Sequence, residues 1–549
     1  MYLRPVILVF LPFLLNSCGS SSSTKTPPPP VTFTIGGTVS NLVGTGLVLQ
    51  NNGGNNLPVA ANGSFTFTTA IDSGAAYAVT VLTQPSNPAQ TCVVASGSGT
   101  ASANVTNVTV NCDHNEWAWM SGSNTPNQNG TYGTQGTAAA GNVPGARSFA
   151  ASWTDTSGNL WLFGGFGLDS AGTNSGGELN DLWKYNLSSG QWTWVSGSNL
   201  IGQAGVYGTL GTPATSNIPG ARDSSASWID ATGNLWLFGG ESVDSGGNTV
   251  YLNDLWKYSV TGGEWTWVGG SNGTNQAGTY GTEGAAAAGN IPGARVYPAV
   301  WISSGNVFLF GGGGYDSTGI STGYLNDLWK YSIGSGEWTW IGGSNTFGHG
   351  GTYGTLGTAA LANIPGGRIA PTSWIDSSGN FWLFGGTGFD SVPAIGFLND
   401  LWKYNTISGE WVWEGGPNLA NQNGTYGTKG TAAQANAPGG RSNASGWADL
   451  SGNLWLFGGS GLDSAGTNAG AELNDLWQYS ISSGEWTWIN GPNVANGTGA
   501  YGTLGALAPG NIPGSRDSSV SWTDSSGHFW LFGGESGANN FNDLWMYMP

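Results

Sequence analysis

Six arginines recur at similar intervals along the chain, each after a Pro-Gly pair and one small residue. A guanidinium group can form two parallel hydrogen bonds with a carboxylate or a phosphate, so a ring of arginines suits an anionic ligand. If the repeats surround a channel, these side chains are candidate binding residues for a carboxylate or an acidic sugar at its mouth. They are Arg147, Arg222, Arg295, Arg368, Arg441 and Arg516.

A structural role is the alternative for the same arginines. An aspartate recurs in the motif Asn-Asp-Leu-Trp, and each copy can neutralise one arginine within or between repeats. Sixfold repetition also argues against catalysis, because a catalytic site needs different residues in different roles. The aspartates are Asp181, Asp254, Asp327, Asp400, Asp475 and Asp543.

Residues for most enzyme mechanisms are missing from the repeated region. We identify no zinc cluster, no phosphate-binding loop and no Ser-His-Asp set, and we predict no catalytic residue, metal or cofactor. A glycoside hydrolase with two carboxylates stays open, because loop acids can converge. Most of these acids occur as Asp-Ser, which favours turn capping over catalysis or calcium binding. They are Asp169, Asp244, Asp316, Asp390, Asp463 and Glu535.

The composition indicates an all-β protein. The chain has 549 residues, of which 96 are Gly and 29 are Trp, and only 8% are charged. Lys, Glu and Gln, which favour helices, are scarce, while Gly, Ser, Thr, Asn and aromatic residues dominate. The formal net charge is −18, and 13 basic residues are too few to build a basic patch. The sequence therefore argues against nucleic acid and anionic membrane surfaces as partners.

The first residues predict export. A basic start at Arg4 and the apolar run of residues 6–15 make a segment too short to span a bilayer, which indicates a signal peptide. The ending Leu-Asn-Ser-Cys resembles the bacterial lipoprotein box, which implies lipidation of Cys18 and anchoring to the outer membrane. A plain secretory signal is the alternative. We assign residues 1–18 to the signal and residues 19–31, rich in Ser and Pro, to a tether.

Residues 32–113 predict a separate β-sandwich. Short alternating strands are separated by Gly, Asn and Pro, which is typical of a small antiparallel sandwich. The segment resembles the immunoglobulin-like or transthyretin-like modules of bacterial surface proteins, which implies a spacer. After export, Cys92 and Cys112 face an oxidising compartment, and we predict a disulfide between them.

Residues 114–549 contain six copies of a repeat of about 73 residues. Each copy carries Leu-Trp-Leu-Phe-Gly-Gly or a variant, then Asn-Asp-Leu-Trp-x-Tyr, and five of them end in Trp-x-Trp. This order resembles the kelch repeat, whose four strands form one blade of a β-propeller and which often has Arg at the arginine positions. The small residues of the first strand and the bulky residues of the others fit a tapering blade. In the first copy we expect strands at residues 148–153, 160–164, 181–186 and 191–196.

The resemblance extends to the fold of galactose oxidase. That chemistry needs His ligands to copper and a Cys-linked Tyr, whereas the predicted propeller has no cysteine and no equivalent histidines, so copper-radical oxidation is excluded. Its histidines are His114, His349 and His528. All 29 tryptophans fall at repeat positions, which favours packing between blades over exposed sugar-binding platforms.

One Trp-x-Trp segment precedes the first copy, and the sixth copy reaches Pro549 without one. We predict that residues 116–120, with Trp117 and Trp119, fill the outer position of the last blade and close the ring. Closure removes an exposed sheet edge. The predicted fold is therefore an all-β, six-bladed kelch β-propeller closed by an N-terminal outer strand and preceded by a small β-sandwich domain.

Two kinds of long connection are expected on one face, which we call the long-loop face. The second Trp of each Trp-x-Trp segment always lies 28 positions before the next arginine, and each connection contains Tyr-Gly-Thr. The connections from second to third strand vary in length and sequence, and the short sixth one should leave a notch in the rim. Variable loops on a uniform frame are where selectivity resides.

These features predict a non-catalytic, lipid-anchored protein of the cell envelope. We expect a monomer that binds a protein or a glycan through the long-loop face. The alternative is a carbohydrate-active enzyme, because exported kelch propellers include sugar-processing members such as sialic acid epimerases. A structural envelope component without a small ligand is the third hypothesis.

Overall fold

The computed structural model describes residues 30–42, 44–86, 90–113, 115–172, 176–466 and 470–549. The predicted signal peptide with Cys18, most of the predicted tether and His114 lie outside the described residues. Every regular element in the described part is a β-strand, and no helix there is long and apolar enough to cross a membrane. The chain divides into two compact units, Met1–His114 and Asn115–Pro549.

The first unit contains two four-stranded sheets and a short two-stranded pair. Alternating side chains face one core that includes Ile35, Leu49 and Val108. The pairing of Val105–Asp113 with Ile35–Ser40 is parallel, unlike the antiparallel pattern that the sequence suggested. The long stretch of chain between these two strands permits the crossover that a parallel pair requires. The strands are Thr32–Phe33, Ile35–Ser40, Leu47–Asn51, Asn55–Val59, Gly63–Thr66, Ile71–Asp72, Ala76–Thr83, Thr91–Ala95, Ser98–Thr100 and Val105–Asp113.

A disulfide joins Cys92 and Cys112, which confirms the predicted pairing. The two residues lie directly opposite each other in the antiparallel pair of Thr91–Ala95 and Val105–Asp113. Both are buried, so the bond lies within the core of the first unit. A cross-link over a sequence separation of 20 residues stabilises the folded state by about 3 kcal/mol in the chain-entropy model.

The second unit is built from antiparallel sheets, each with four principal strands. The first strands are Ala151–Thr154, Ala226–Ile229, Ala299–Ser303, Thr372–Ile375, Ser445–Ala448 and Val520–Thr523. The second strands are Leu160–Phe163, Leu235–Val243, Asn306–Tyr315, Phe381–Phe389, Leu454–Gly461 and Phe529–Phe532. The third strands are Leu182–Asn186, Thr249–Ser259, Thr322–Ser332, Ile395–Asn405, Ala471–Ser480 and Leu544–Met548. The fourth strands are Gln191–Ser196, Glu264–Gly269, Glu337–Gly342, Glu410–Gly415, Glu485–Asn490 and, for the last sheet, Glu116–Ser121.

Short strands extend these sheets toward the long-loop face. Four of them begin at an arginine. Three of these pair with the end of a second strand, and Arg147–Ser148 pairs with Phe166–Gly167. The short strands are Arg147–Ser148, Phe166–Gly167, Gly177–Glu178, Arg295–Val296, Arg368–Ile369, Arg441–Ser442, Leu507–Ala508, Glu535–Ser536 and Asn539–Asn540.

Aromatic and aliphatic side chains fill the space between neighbouring sheets. Trp161 and Phe163 of repeat 1 pack with Leu237 and Trp256 of repeat 2 in one buried cluster. Each of the remaining pairs of consecutive repeats has a corresponding cluster between its sheets, and so do repeat 6 and repeat 1. Since each sheet shares a core with both neighbours, the result is an all-β, propeller-like fold.

The Gly-Gly pair of each second strand allows this close packing. Gly239 and Gly240 have φ angles of 65° and 104°, in the left-handed region that favours glycine. A Cβ on Gly239 would lie 2.9 Å from the carbonyl oxygen of Arg295 in the next repeat. A side chain here would therefore push two sheets apart.

A closed circuit of backbone hydrogen bonds surrounds the axis of the second unit. Ser224 N–H donates to the carbonyl of Phe149, Tyr297 donates to Ser224, and the circuit returns when Phe149 donates to Ser518. All the bonds are 2.9–3.0 Å long, and all the participants have positive φ. This backbone turn explains why the first strand begins at Ala151 and not at Ser148 as the sequence suggested. The participants are Phe149, Ser224, Tyr297, Ala370, Asn443 and Ser518.

The segment Glu116–Ser121 forms the outer strand of the last sheet. It pairs antiparallel with Leu544–Met548, the position that the sequence leads one to expect for it. Trp117 is fully buried and contacts Trp447 and Phe457 of the fifth repeat as well as Tyr547 of the sixth. The strand therefore completes the sheet and adds core volume where the beginning and the end of the second unit meet, and Leu507–Ala508 pairs with its outer side.

Trp117→Ala should lower the free energy of unfolding by about 3–5 kcal/mol, because it leaves a large cavity between two sheets. The matched control is Trp119→Ala, which removes a partly exposed indole from the same strand and should cost clearly less. Denaturant unfolding of the full chain, followed by tryptophan fluorescence, measures both. Equal losses for the two variants would contradict the closing role of Trp117.

Candidate functional site

Each aspartate of the Asn-Asp-Leu-Trp motif is the centre of a buried hydrogen-bond network. In repeat 3, Asp327 accepts two bonds from Arg295, at 2.8 and 2.7 Å. It also accepts bonds from the hydroxyl of Tyr280 at 2.6 Å and from the indole of Trp329 at 2.7 Å. The same four groups meet in the other repeats. Because the tyrosine belongs to the connection of constant length, this contact explains why that length does not vary.

The electrostatics of the network hold the arginine charged. Burial lowers the pKa of a guanidinium, but the facing carboxylate of Asp327 outweighs burial and raises the pKa of Arg295. Burial, and then Asp327, raises the pKa of the Tyr280 hydroxyl, so Tyr280 stays a neutral donor. The charges of the pair cancel inside the protein.

The candidate arginines are therefore not available to a ligand as free cations. All of them are at most 2% exposed, and each is paired with one aspartate, which is the structural alternative considered above. A channel mouth lined by unpaired guanidinium groups is not what the structure shows. Arg147, Arg222, Arg295, Arg368, Arg441 and Arg516 hold strands and connections together.

Most of the loop acids cap turns and do not converge. Asp390 accepts bonds from the backbone N–H groups of Val392 and Ala394 at 2.9 Å each, and from Ala420 at 3.0 Å. Asp169, Asp316 and Asp463 cap the corresponding loops in the same way. Asp244 caps its own turn through Gly246 and Asn248. Only Glu535 has a different environment.

Glu535 belongs to a group of carboxylates on one side of the channel mouth. The mouth is the end of the axial channel that is surrounded by the circuit of backbone hydrogen bonds and by the residues that follow the six arginines. Asp517 and Glu535 lie opposite each other and exchange backbone bonds of 3.0 Å, and Asp223 and Glu241 do the same at 3.0 and 2.9 Å. Residues that face one another across such a pair have neighbouring side chains.

Two further acids complete this group, which we call the acidic arc. Glu178, in the short strand Gly177–Glu178, and Glu472, in the third strand of repeat 5, occupy equivalent places two residues before the Asn of the Asn-Asp-Leu-Trp motif. The equivalents of the Asp and Glu pair in repeats 3 and 4 are Val296 with Gly313 and Ile369 with Thr387, which are uncharged. The acidic arc therefore covers repeats 5, 6, 1 and 2. Its members are Glu472, Asp517, Glu535, Glu178, Asp223 and Glu241.

The acidic arc contains carboxyl groups that hold protons near neutral pH. Burial raises the pKa of Asp223 to about 8, although the hydroxyl of Ser224 donates to it at 2.6 Å and opposes the rise. Burial likewise raises the pKa of Asp517 to about 7, against a bond from Ser518. Nearby carboxylates add to both shifts, and burial raises the pKa values of Glu241 and Glu535 as well.

Aromatic rings and open space adjoin these acids. Phe149 and Tyr297 meet edge to face with ring centres 5.5 Å apart, and they line a cavity of about 200 Å³ in the channel. A second cavity, of about 400 Å³, is lined by Glu535, Phe166 and Leu168 among others, beside the short sixth loop. This cavity lies where the sequence places a notch in the rim.

Within the described residues, no three His, Cys, Asp or Glu side chains form a group that could hold a metal ion. Of the acidic arc, sequence reasoning singled out Glu535 alone, as a loop acid. One signal was available for the two pairs. Only in repeats 2 and 6 does an Asp follow the arginine and a Glu follow the Gly-Gly pair, 18 residues later in both cases.

Arg295→Met should lower the free energy of unfolding by about 3–5 kcal/mol, because it leaves Asp327 buried without its counter-ion. The control Lys330→Met removes the same charge from a partly exposed site in the same repeat. Denaturant unfolding of the full chain measures both. If the two variants lose equal stability, the buried pair is not what the frame depends on.

The raised pKa of Asp223 predicts a pH-dependent stability. Between about pH 4 and pH 8 the folded state keeps a proton that the unfolded state has lost, so this residue makes stability fall as pH rises. Asp223→Asn removes that loss and should be about 1–3 kcal/mol more stable than the natural chain at pH 8, with the difference vanishing near pH 4.

Thermal unfolding from pH 4 to pH 8 tests this sign, with Glu283→Gln in an exposed connection as the control. An Asp223→Asn curve parallel to that of the natural chain over the whole range contradicts the titration of Asp223.

No family model matches the chain, and no curated protein matches it. Among solved structures, the chain is similar to the structure of YjhT, at 14% sequence identity. The match covers 73% of this chain and 95% of that chain, with a TM-score of 0.43.

Proposed function

We propose that the chain is a non-catalytic binding protein of the bacterial cell envelope. A lipid on Cys18 anchors it to the outer membrane, residues 32–113 form a β-sandwich spacer, and residues 114–549 form a six-bladed kelch propeller. The propeller recognises a protein or a glycan through its long-loop face. The protein acts as a monomer and does not bind nucleic acid.

The observation that carries this proposal is the contrast between the frame and the loops. The Asp, Arg, Tyr and Trp of the buried network are repeated with nearly constant bond lengths, while the loops from second to third strand differ in sequence and length. A uniform frame with variable loops is typical of recognition proteins.

The blade count and the location have separate support. The circuit of backbone hydrogen bonds passes through one residue of each repeat and closes on itself, which supports six blades. The disulfide of Cys92 and Cys112 supports export, because such bonds persist in oxidising compartments.

A carbohydrate-active enzyme is the second candidate, and the two Asp–Glu pairs favour it. Asp517, with a pKa near 7, lies opposite Glu535, and acid–base catalysis uses carboxyl groups whose environments separate their pKa values. Such an enzyme converts the glycan that it binds, so the products distinguish the two candidates.

A capture experiment with the full chain tests the proposed function. We expect the immobilised protein to retain a glycan from an array or a protein from envelope extracts, with no change in the mass of the ligand. Exchanging the loops 241–252 and 387–398, which have equal length, should reduce capture and leave the melting temperature unchanged.

The control exchanges the hairpin turns 155–159 and 230–234 at the opposite end of the sheets and should capture normally. Failure to capture any glycan or protein overturns the binding proposal. Chemical conversion of a captured glycan favours the enzyme instead.

A further inference from the structure

The cavity beside the short sixth loop lies between repeats 6 and 1. Glu535, Gly537 and Asn540 of repeat 6 line it, together with Phe166 and Leu168 of repeat 1. We call it the rim cavity. Its volume of about 400 Å³ is within the range of small-molecule sites in proteins. The rim cavity is therefore large enough to hold one ring of a larger ligand.

Aromatic pairs occupy the equivalent places between other repeats. Two residues before the Asn of the Asn-Asp-Leu-Trp motif, repeats 2 and 3 have Tyr251 and Tyr324, where repeat 6 has Asn540. The ring of Tyr251 meets Tyr315 of the next repeat edge to face, with ring centres 6.4 Å apart. Tyr324 meets Phe389 in the same way at 6.0 Å. Between repeats 6 and 1 an Asn and a Leu occupy these two places, and both line the rim cavity.

Hydrogen bonds fix the repeat 6 side of the rim cavity. The backbone N–H of Asn127 donates to the carbonyl of Asn540 at 2.7 Å, and the N–H of Asn540 donates to the side-chain oxygen of Asn127 at 2.8 Å. The amide nitrogen of Asn127 also donates to Asn539 at 3.1 Å. The N–H of Gly537 donates to Glu472 at 3.1 Å. The lining is therefore held in place before a ligand arrives, which lowers the entropic cost of binding.

Two lining residues have oxygens that lack a donor. The side-chain oxygen of Asn540 is buried and accepts no hydrogen bond among the described residues. The hydroxyl of Ser148 donates to Oε2 of Glu535 at 2.9 Å, and no described residue donates to Oε1. A buried acceptor without a donor is unfavourable, so a ligand that brings hydroxyl groups gains hydrogen bonds here.

The lining indicates an uncharged ligand. None of the described residues that line the rim cavity is basic, and Glu535 is the single acid among them. An anionic ligand is repelled by Glu535, whereas one carboxylate that already accepts a bond is a poor site for a cation. The amides of Asn127 and Asn540 can both donate and accept hydrogen bonds, as a hydroxyl group does. The ring of Phe166 adds an apolar surface.

We propose that the rim cavity binds one neutral pyranose ring of a glycan. Hydroxyl groups of the sugar donate to Asn540 and Glu535. The C–H groups on one side of the sugar pack against Phe166, because the face of an aromatic ring is electron-rich. This inference rests on the proposed function and deepens it, since it selects a glycan over a protein and places one of its sugars between repeats 6 and 1.

Saturation-transfer difference NMR with the full chain tests the inference, because it detects weak binding of single sugars. The neutral probes are the methyl glycosides of glucose, galactose, mannose and N-acetylglucosamine. Methyl glucuronide is the charged counterpart of the glucose probe, and a Gly-Ser-Gly peptide represents a protein ligand. We expect at least one neutral glycoside to bind, and neither the glucuronide nor the peptide to bind.

The variant Asn540→Tyr places in the rim cavity the side chain that repeats 2 and 3 have there, and it should weaken sugar binding at least about tenfold because it fills the space. The control Asn345→Tyr adds the same ring at an exposed position of another connection. Phe166→Ala should weaken binding about fivefold, since it removes the aromatic surface. Its control is Phe347→Ala, which removes a partly exposed ring outside the cavity. Circular dichroism and melting temperature show that the variants are folded.

Three results overturn the inference: no neutral glycoside binds, Asn540→Tyr binds sugar as well as its control does, or the glucuronide or the peptide binds as tightly as the sugars. Failure here is separate from failure of the proposed function. If the glycosides do not bind but capture of a glycan or protein persists, only the sugar site is wrong. If the glycosides bind and capture fails, the sugar site stands and the proposed recognition by the variable loops is wrong.

Discussion

The buried carboxylate of the Asn-Asp-Leu-Trp motif is the constraint on which the second unit depends. Its two oxygens accept four hydrogen bonds, which come from the arginine before the first strand, the tyrosine of the preceding connection and the tryptophan of the third strand. A charge this deeply buried must remain paired. Three separate segments of each repeat are therefore held in fixed register, and among the long connections only those from second to third strand vary in length.

Two sets of contacts join the first and the last repeat, one near the axis of the second unit and one at its outer edge. Near the axis, residues in left-handed conformations pass a hydrogen bond from one repeat to the next. Each such residue costs about 1–2 kcal/mol, so the conformation persists only where its surroundings enforce it. At the outer edge, Trp117 packs against the fifth and sixth repeats. Inner and outer contacts together join the beginning and end of the second unit.

The sequence predicts the repeated parts of this structure well and the site poorly. Trp, Asp, Arg and Gly-Gly recur at fixed positions because each has one packing role, and the missing outer strand follows from comparing copies. The backbone turn at Phe149, which delays the start of the first strand to Ala151, was not predictable, because a Phe in the sequence does not indicate a positive φ. The acidic arc was missed because its members lie at positions that differ between repeats. Asp223 and Glu241 become neighbours only through strand pairing.

The distribution of charge distinguishes the frame from the channel mouth. Every arginine of the described residues forms an ion pair with an aspartate. The lysines there lie on third strands, except for Lys429, which lies over the ring of Trp488. The frame therefore presents no unpaired arginine to the acids at the mouth. At the mouth, burial and the charges of neighbouring carboxylates push Asp223 and Asp517 toward their protonated forms, so these acids keep protons that they would lose in water.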